Sequence, residues 1–156
     1  MNAHRVAYLV FALAVAIIGA AAAGSGAGPV NDVTGTGLSG YDAVSYFEHD
    51  GPVQGLPKFS AVHDGVTYLF ASAGHRDAFL ADPQKYLPQF GGYCAIATAN
   101  GLKVTIDPHA YAVIDNKLYL NHSMGAQASF DKDRAGNISK AIKNWPEVQK
   151  LDGPDH

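Results

Sequence analysis

The chain has one cysteine, Cys94, among its 156 residues, so no disulfide can form within it and packing must stabilise it. Charge is sparse: Asp, Glu, Lys and Arg make up 16% of the residues, below the roughly one quarter usual for globular chains. The basic residues between Lys58 and Lys150 form no cluster of three, and the formal charge is −3, so nucleic acid is not an expected partner. Enzyme signatures are missing too. The sequence contains no Gly-x-Ser-x-Gly, no phosphate-cradling Gly-Lys-Ser/Thr, no His-Glu-x-x-His and no dinucleotide fingerprint. A non-enzymatic role is therefore favoured.

The one long apolar run is Val6–Ala23, which follows His4 and Arg5 and ends in small residues. It has the layout of a secretion signal, with cleavage expected near Gly24 and a mature chain of roughly 133 residues. A single-pass anchor is the rival reading, but no Lys or Arg stop follows the run. Cleavage would remove Arg5 and leave ten Lys and Arg against fourteen Asp and Glu, a formal charge of −4. The expected layout is a signal at 1–23, a flexible linker at 24–40, one domain at 41–150 and a tail at 151–156. The mature protein is expected to be periplasmic or secreted, without stable membrane insertion, as a monomer or homodimer.

Within the domain, the runs Lys58–Val62 and Val66–Ala71 flank His63-Asp64-Gly65 and predict a β-hairpin, because Asp-Gly accepts the positive φ of a tight turn. Ser72 is placed to cap a helix over Ala73–Ala81, and Asp82-Pro83 opens a further turn through Leu87. Gly91-Gly92 precedes a helix predicted over Tyr93–Ala99 and closed by Asn100-Gly101. A second hairpin joins Ala110–Ile114 to Lys117–Asn121 at Asp115-Asn116. Helices follow, from Ser123 to about Asp133 and over Ile138–Asn144, the last ended by Trp145-Pro146. This order predicts an α+β domain, a small antiparallel sheet built from two hairpins with short helices packed on it.

Three side chains lead the candidate chemistry. Cys94, read as lying in the first turn of its helix, would have its thiolate favoured by unpaired N–H groups and the helix dipole. His75 falls in the first turn of the preceding long helix, where the neutral, metal-competent imidazole is favoured. His122 ends a strand just before the Ser123 cap. His49, His63 and His109 read as loop or surface residues. The carboxylates, Asp42 and Glu48 among them, read as turn and cap residues. The aromatic series Tyr41, Tyr46, Phe47, Tyr68, Phe70, Tyr86, Phe90 and Tyr93 packs a core or lines a pocket with Cys94 at its wall.

Gly40-Tyr41-Asp42-Ala43-Val44-Ser45-Tyr46-Phe47, Asp64–Ser72, Arg76–Tyr86, Gly91-Gly92-Tyr93-Cys94-Ala95, Lys117–Asn121 and Asn144-Trp145-Pro146 together resemble the exported YHS-domain proteins of bacteria. The resemblance spans about Gly40–Pro146. It implies a YHS-like fold. Short metal-handling YHS modules carry cysteines at positions that fall here on Ser45, Ala71 and His75, so that thiolate cluster is missing and only His75 keeps ligand character. Exported relatives keep a cysteine, in some a selenocysteine, in the Gly-Gly-Tyr-Cys segment, which implies a reactive sulfur at Cys94.

The leading expectation is a soft transition metal, copper preferred and zinc possible, held by Cys94, His75 and His122 for metal handling or sensing. A second is a thiol redox or peroxide-reactive protein using Cys94 without metal. A third is a small-ligand-binding module with an aromatic-lined pocket.

Overall fold

A computed structural model describes residues 30–32, 34–48 and 51–154. The expected signal, its cleavage point, His49 and His156 lie outside the described residues. The architecture is α+β. Strand β1 (Leu56–His63) pairs antiparallel with β2 (Val66–Phe70), and β3 (Asp107–Ile114) with β4 (Lys117–Asn121). Both turns have positive φ at their two central residues, Asp64 (48°) with Gly65 (80°) and Asp115 (50°) with Asn116 (57°), which matches the right-handed twist of the strands.

The hairpins remain two separate two-stranded sheets instead of one. The far edge of β4 is already taken, because Leu118 bridges Pro88 and Leu120 bridges Cys94, both in parallel. Strand β4 is buried on both faces. Leu118 and Leu120 join a core made by Tyr68, Phe70, Phe79, Tyr86 and the Leu38–Tyr46 segment. Tyr119, pointing the other way, joins a second core with Phe90, Ala95, Ala99, Phe130 and Ala141.

Helix α1 (Ala73–Ala81) begins as expected, with the Ser72 hydroxyl accepting from the His75 backbone N–H at 3.1 Å, and α2 (Pro83–Tyr86) follows at once. Helix α3 (Ala95–Ala99) is shorter than expected: Cys94 is its cap residue, with ψ 118°, and lies outside the first turn. Helix α4 (Met124–Asp131) is capped by Ser123. The largest departure is α5 (Arg134–Val148), which starts at the Asp133 cap and runs through Pro146. Pro146 has no N–H to give the carbonyl four residues before it. Lys103 anchors the chain just beyond, its Nζ donating to the carbonyls of Gln149 (3.3 Å) and Leu151 (2.9 Å). Among the described residues no helix is long and apolar enough to cross a membrane.

The expected linker is also partly packed. The Asn31 N–H donates to the Gly91 carbonyl at 2.8 Å, and Asn31, Gly37, Leu38 and Gly40 are buried. Gly37 lies so close to the Tyr68 ring that a Cβ there would collide with it. Gly37, expected to belong to a flexible linker, serves close approach instead.

Phe79, fully buried, contacts Tyr68 and Phe70 at ring-centroid distances of 5.1 and 5.0 Å. Phe79→Ala is expected to lower stability by about 3–5 kcal/mol, read from urea denaturation; a loss below about 1 kcal/mol would show that this core collapses around the void.

Candidate functional site

The site is built around Asp42, which has no solvent exposure. Its Oδ1 accepts from the Val44 N–H at 2.8 Å, closing a local turn. Its Oδ2 accepts from the Ala71 N–H at 2.8 Å and contacts His75 Nδ1 at 2.6 Å. Hairpin and cap set this up together: β2 delivers Ala71 at its end, Ser72 starts α1, and His75 projects from the first turn back toward the carboxylate. Ser45 locks the acidic loop, donating to the Asp42 carbonyl (2.8 Å) and accepting from the Val53 N–H (3.0 Å).

The other nitrogen of His75, Nε2, lies 3.2 Å from Glu48 Oε1, and Glu48 is half exposed. Two carboxylates therefore face one imidazole, one at each ring nitrogen. Sequence reasoning had left Asp42 and Glu48 as turn residues. The available signal was an acid set in the otherwise apolar run Tyr41-Asp42-Ala43-Val44, since an ion there needs a partner to be buried.

Glu48 forms one wall of a groove of about 470 Å³ that Phe47, Tyr86, Lys85, Val113 and Asn116 also line. Phe47 and Tyr86 meet edge to face at 5.6 Å, and Lys85 Nζ lies 5.0 Å from the Tyr86 ring centre. Tyr46 closes the inner side. Its hydroxyl donates to the Pro108 carbonyl at 3.0 Å, and burial, followed by nearby Tyr41, Tyr111 and Asp107, pushes its phenol far above the ordinary value, so it stays neutral.

Cys94 lies elsewhere. It is 1% exposed, next to β4, with the His122 backbone N–H donating to its sulfur at 3.3 Å and its S–H directed at Asn121 Oδ1, 3.7 Å away. Burial pushes the thiol above its ordinary value, against the backbone N–H groups of Ala97, His122 and Ile96, which favour the thiolate. This reverses the expectation of a thiolate at a helix start. Desolvation outweighs the N–H groups, and α3 has only five residues. Asn121 continues a buried polar chain, donating to Gln127 Oε1 (2.7 Å), while Gln127 donates to Asp131 (3.0 Å).

The expected ligands Cys94, His75 and His122 are not brought together. His75 spends both ring nitrogens on carboxylates. The His122 ring faces the Thr105 carbonyl, Nδ1 at 3.2 Å, and only its backbone reaches the sulfur. Among the described residues no group of three or more His, Cys, Asp or Glu side chains is arranged to hold a metal ion. Cys94 does not line the aromatic groove either. His109, expected in a loop, instead lies in β3, exposed, with its ring against Tyr41 at 5.3 Å. Comparison with family models, with curated proteins and with solved structures finds no match to the chain.

Two outcomes follow from this geometry. His75→Ala should cost about 3–5 kcal/mol by taking a partner from the fully buried Asp42 carboxylate, Asp42→Ala about 1–3 kcal/mol for each of the Val44 and Ala71 N–H groups it orphans, and the double variant should cost less than the two losses added. Strict additivity in denaturant titrations would show that the pair does not interact. For Cys94, a thiol raised by folding contributes stability that is present below the unfolded thiol's value and lost as pH rises past it, near 9. Thermal melts should show a loss beginning near that pH that Cys94→Ala lacks, and alkylation of Cys94 should require unfolding; rapid labelling of the native protein at pH 7 would contradict the sealed sulfur.

Proposed function

We propose that the chain is an exported, YHS-like, non-catalytic binding module that takes a small zwitterionic ligand in the groove beside Glu48. The supporting observation is the Asp42–His75–Glu48 series, which holds one carboxylate at the groove wall while Lys85 supplies a cation on the same lining. Aromatic edges from Phe47 and Tyr86 favour an apolar group between the two charged ends. The YHS likeness rests on its sequence motifs, and export rests on the apolar leader at Val6–Ala23.

A second reading keeps the metal but moves its donors. A histidine that ligates a metal characteristically gives its other ring N–H to a carboxylate, as His75 does to Asp42. His75 Nε2 with Glu48 would then be an imidazole–carboxylate pair, suited to Cu(II) or Zn(II), and the preference for Cu(I) lapses with the sulfur. Binding would displace the Nε2 proton and so weaken as pH falls.

L-phenylalanine, titrated into the isotope-labelled protein, should shift the Val44–Glu48 and Tyr86 resonances saturably. Glu48→Gln and Lys85→Gln should each weaken it about tenfold, the size of one charge-assisted contact. No saturable shift, or equal binding by both variants, would reject the ligand reading. Copper(II) added to the same sample should broaden His75 and release a proton, with Cys94→Ser unaffected; loss of copper binding in Cys94→Ser would restore the sulfur to the site.

A further inference from the structure

A second cavity, of about 90 Å³, lies at the first hairpin, away from the groove beside Glu48. His63, Asp64, Tyr68, Leu87 and Pro88 line it. His63 Nε2 is buried and has no hydrogen-bond partner. Asp64 Oδ2 lies 3.3 Å from that nitrogen without hydrogen-bond alignment. A buried ring nitrogen left without a partner is costly and calls for an explanation. If Nε2 carried a proton, a carboxylate at that distance would be its natural acceptor. The unaligned pair leaves the ring nitrogen and the carboxylate oxygen side by side without a mutual hydrogen bond.

The remaining walls define what fits between them. Leu87 and Pro88 are apolar, and Tyr68 adds an aromatic residue to the wall. Burial, followed by the negative charges of Asp64 and Asp32, pushes the Tyr68 phenol above its ordinary value. Among the described residues no Lys or Arg lines the cavity. At about 30 Å³ per water-sized group, the space takes roughly three non-hydrogen atoms.

We propose that this cavity binds a small primary alkylammonium ion, its nitrogen donating to His63 Nε2 and Asp64 Oδ2 and its carbons resting against Leu87, Pro88 and the Tyr68 ring. The nitrogen has three N–H donors, so it satisfies both acceptors at once. A neutral alcohol of the same size has one donor and no charge, and a carboxylate meets two acceptors and is repelled.

Ethylammonium chloride titrated into the full chain, followed by the His63 side-chain nitrogen resonances, should give a saturable Nε2 shift at millimolar concentration. Ethanol and sodium acetate should give none over the same range. Asp64→Asn, which keeps a residue tolerant of the turn's positive φ, should weaken binding at least fivefold, and His63→Phe, which keeps the ring packed on Phe79, should abolish it. The proposal is overturned if no saturable shift occurs, as for a cavity that takes only water. It is overturned equally if ethanol matches ethylammonium, or if folded Asp64→Asn binds as tightly as the parent.

Discussion

The structure turns on one carboxylate taken out of water. Asp42 has no exposure, and burying an ion of this kind is tolerable only with several donors or an opposite charge close by. It has hydrogen-bond partners on three sides: the Val44 N–H of its own loop, the Ala71 N–H at the end of the first hairpin and the His75 ring from the first turn of α1. Three segments that share no continuous hydrogen-bonded sheet are thereby fixed to one group. The position of His75, and through it that of Glu48 at the groove, depends on that anchoring. The same demand explains why Ser45 is buried: its hydroxyl closes the loop that carries the acid.

Cys94 and Asp42 illustrate two ways to bury polar atoms. Asp42 ends in an ionic contact that leads outward to a half-exposed carboxylate. Cys94 is linked through buried Asn121 and Gln127 to Asp131 at the surface, whose carboxyl is held below its usual range chiefly by Arg134. The first arrangement opens onto a groove and suits recognition. The second fills a gap between β4, α3 and α4 and suits a neutral thiol packed as a small apolar group.

Local chemistry made much of the fold legible in the sequence. Asp64-Gly65 and Asp115-Asn116 marked both turns, and Ser72 and Ser123 marked both helix starts, because each rule acts within four residues. Where long-range contacts decided, the reading failed. Cys94 was assigned to a helix start, yet its bridge to Leu120 across the chain sets its backbone and seals its sulfur. Pro146 reads as a stop in the sequence, yet α5 continues through it to Val148. In the site, His75 was singled out for its helix position, but Asp42 lies 33 residues away and Glu48 beyond a loop, so neither pairing had a local mark. The small and glycine-rich residues before Gly40 looked unstructured because glycine at a close contact and glycine in a tether have the same composition.

Strand β4 sends Leu118 and Leu120 into one apolar interior and Tyr119 into the other, so a single five-residue ribbon serves as the party wall between them. Neither half has a complete floor without it. Melting of either interior would strip one side of that ribbon, and the two halves are therefore bound to lose their order in one step despite having separate hairpins and separate aromatic clusters.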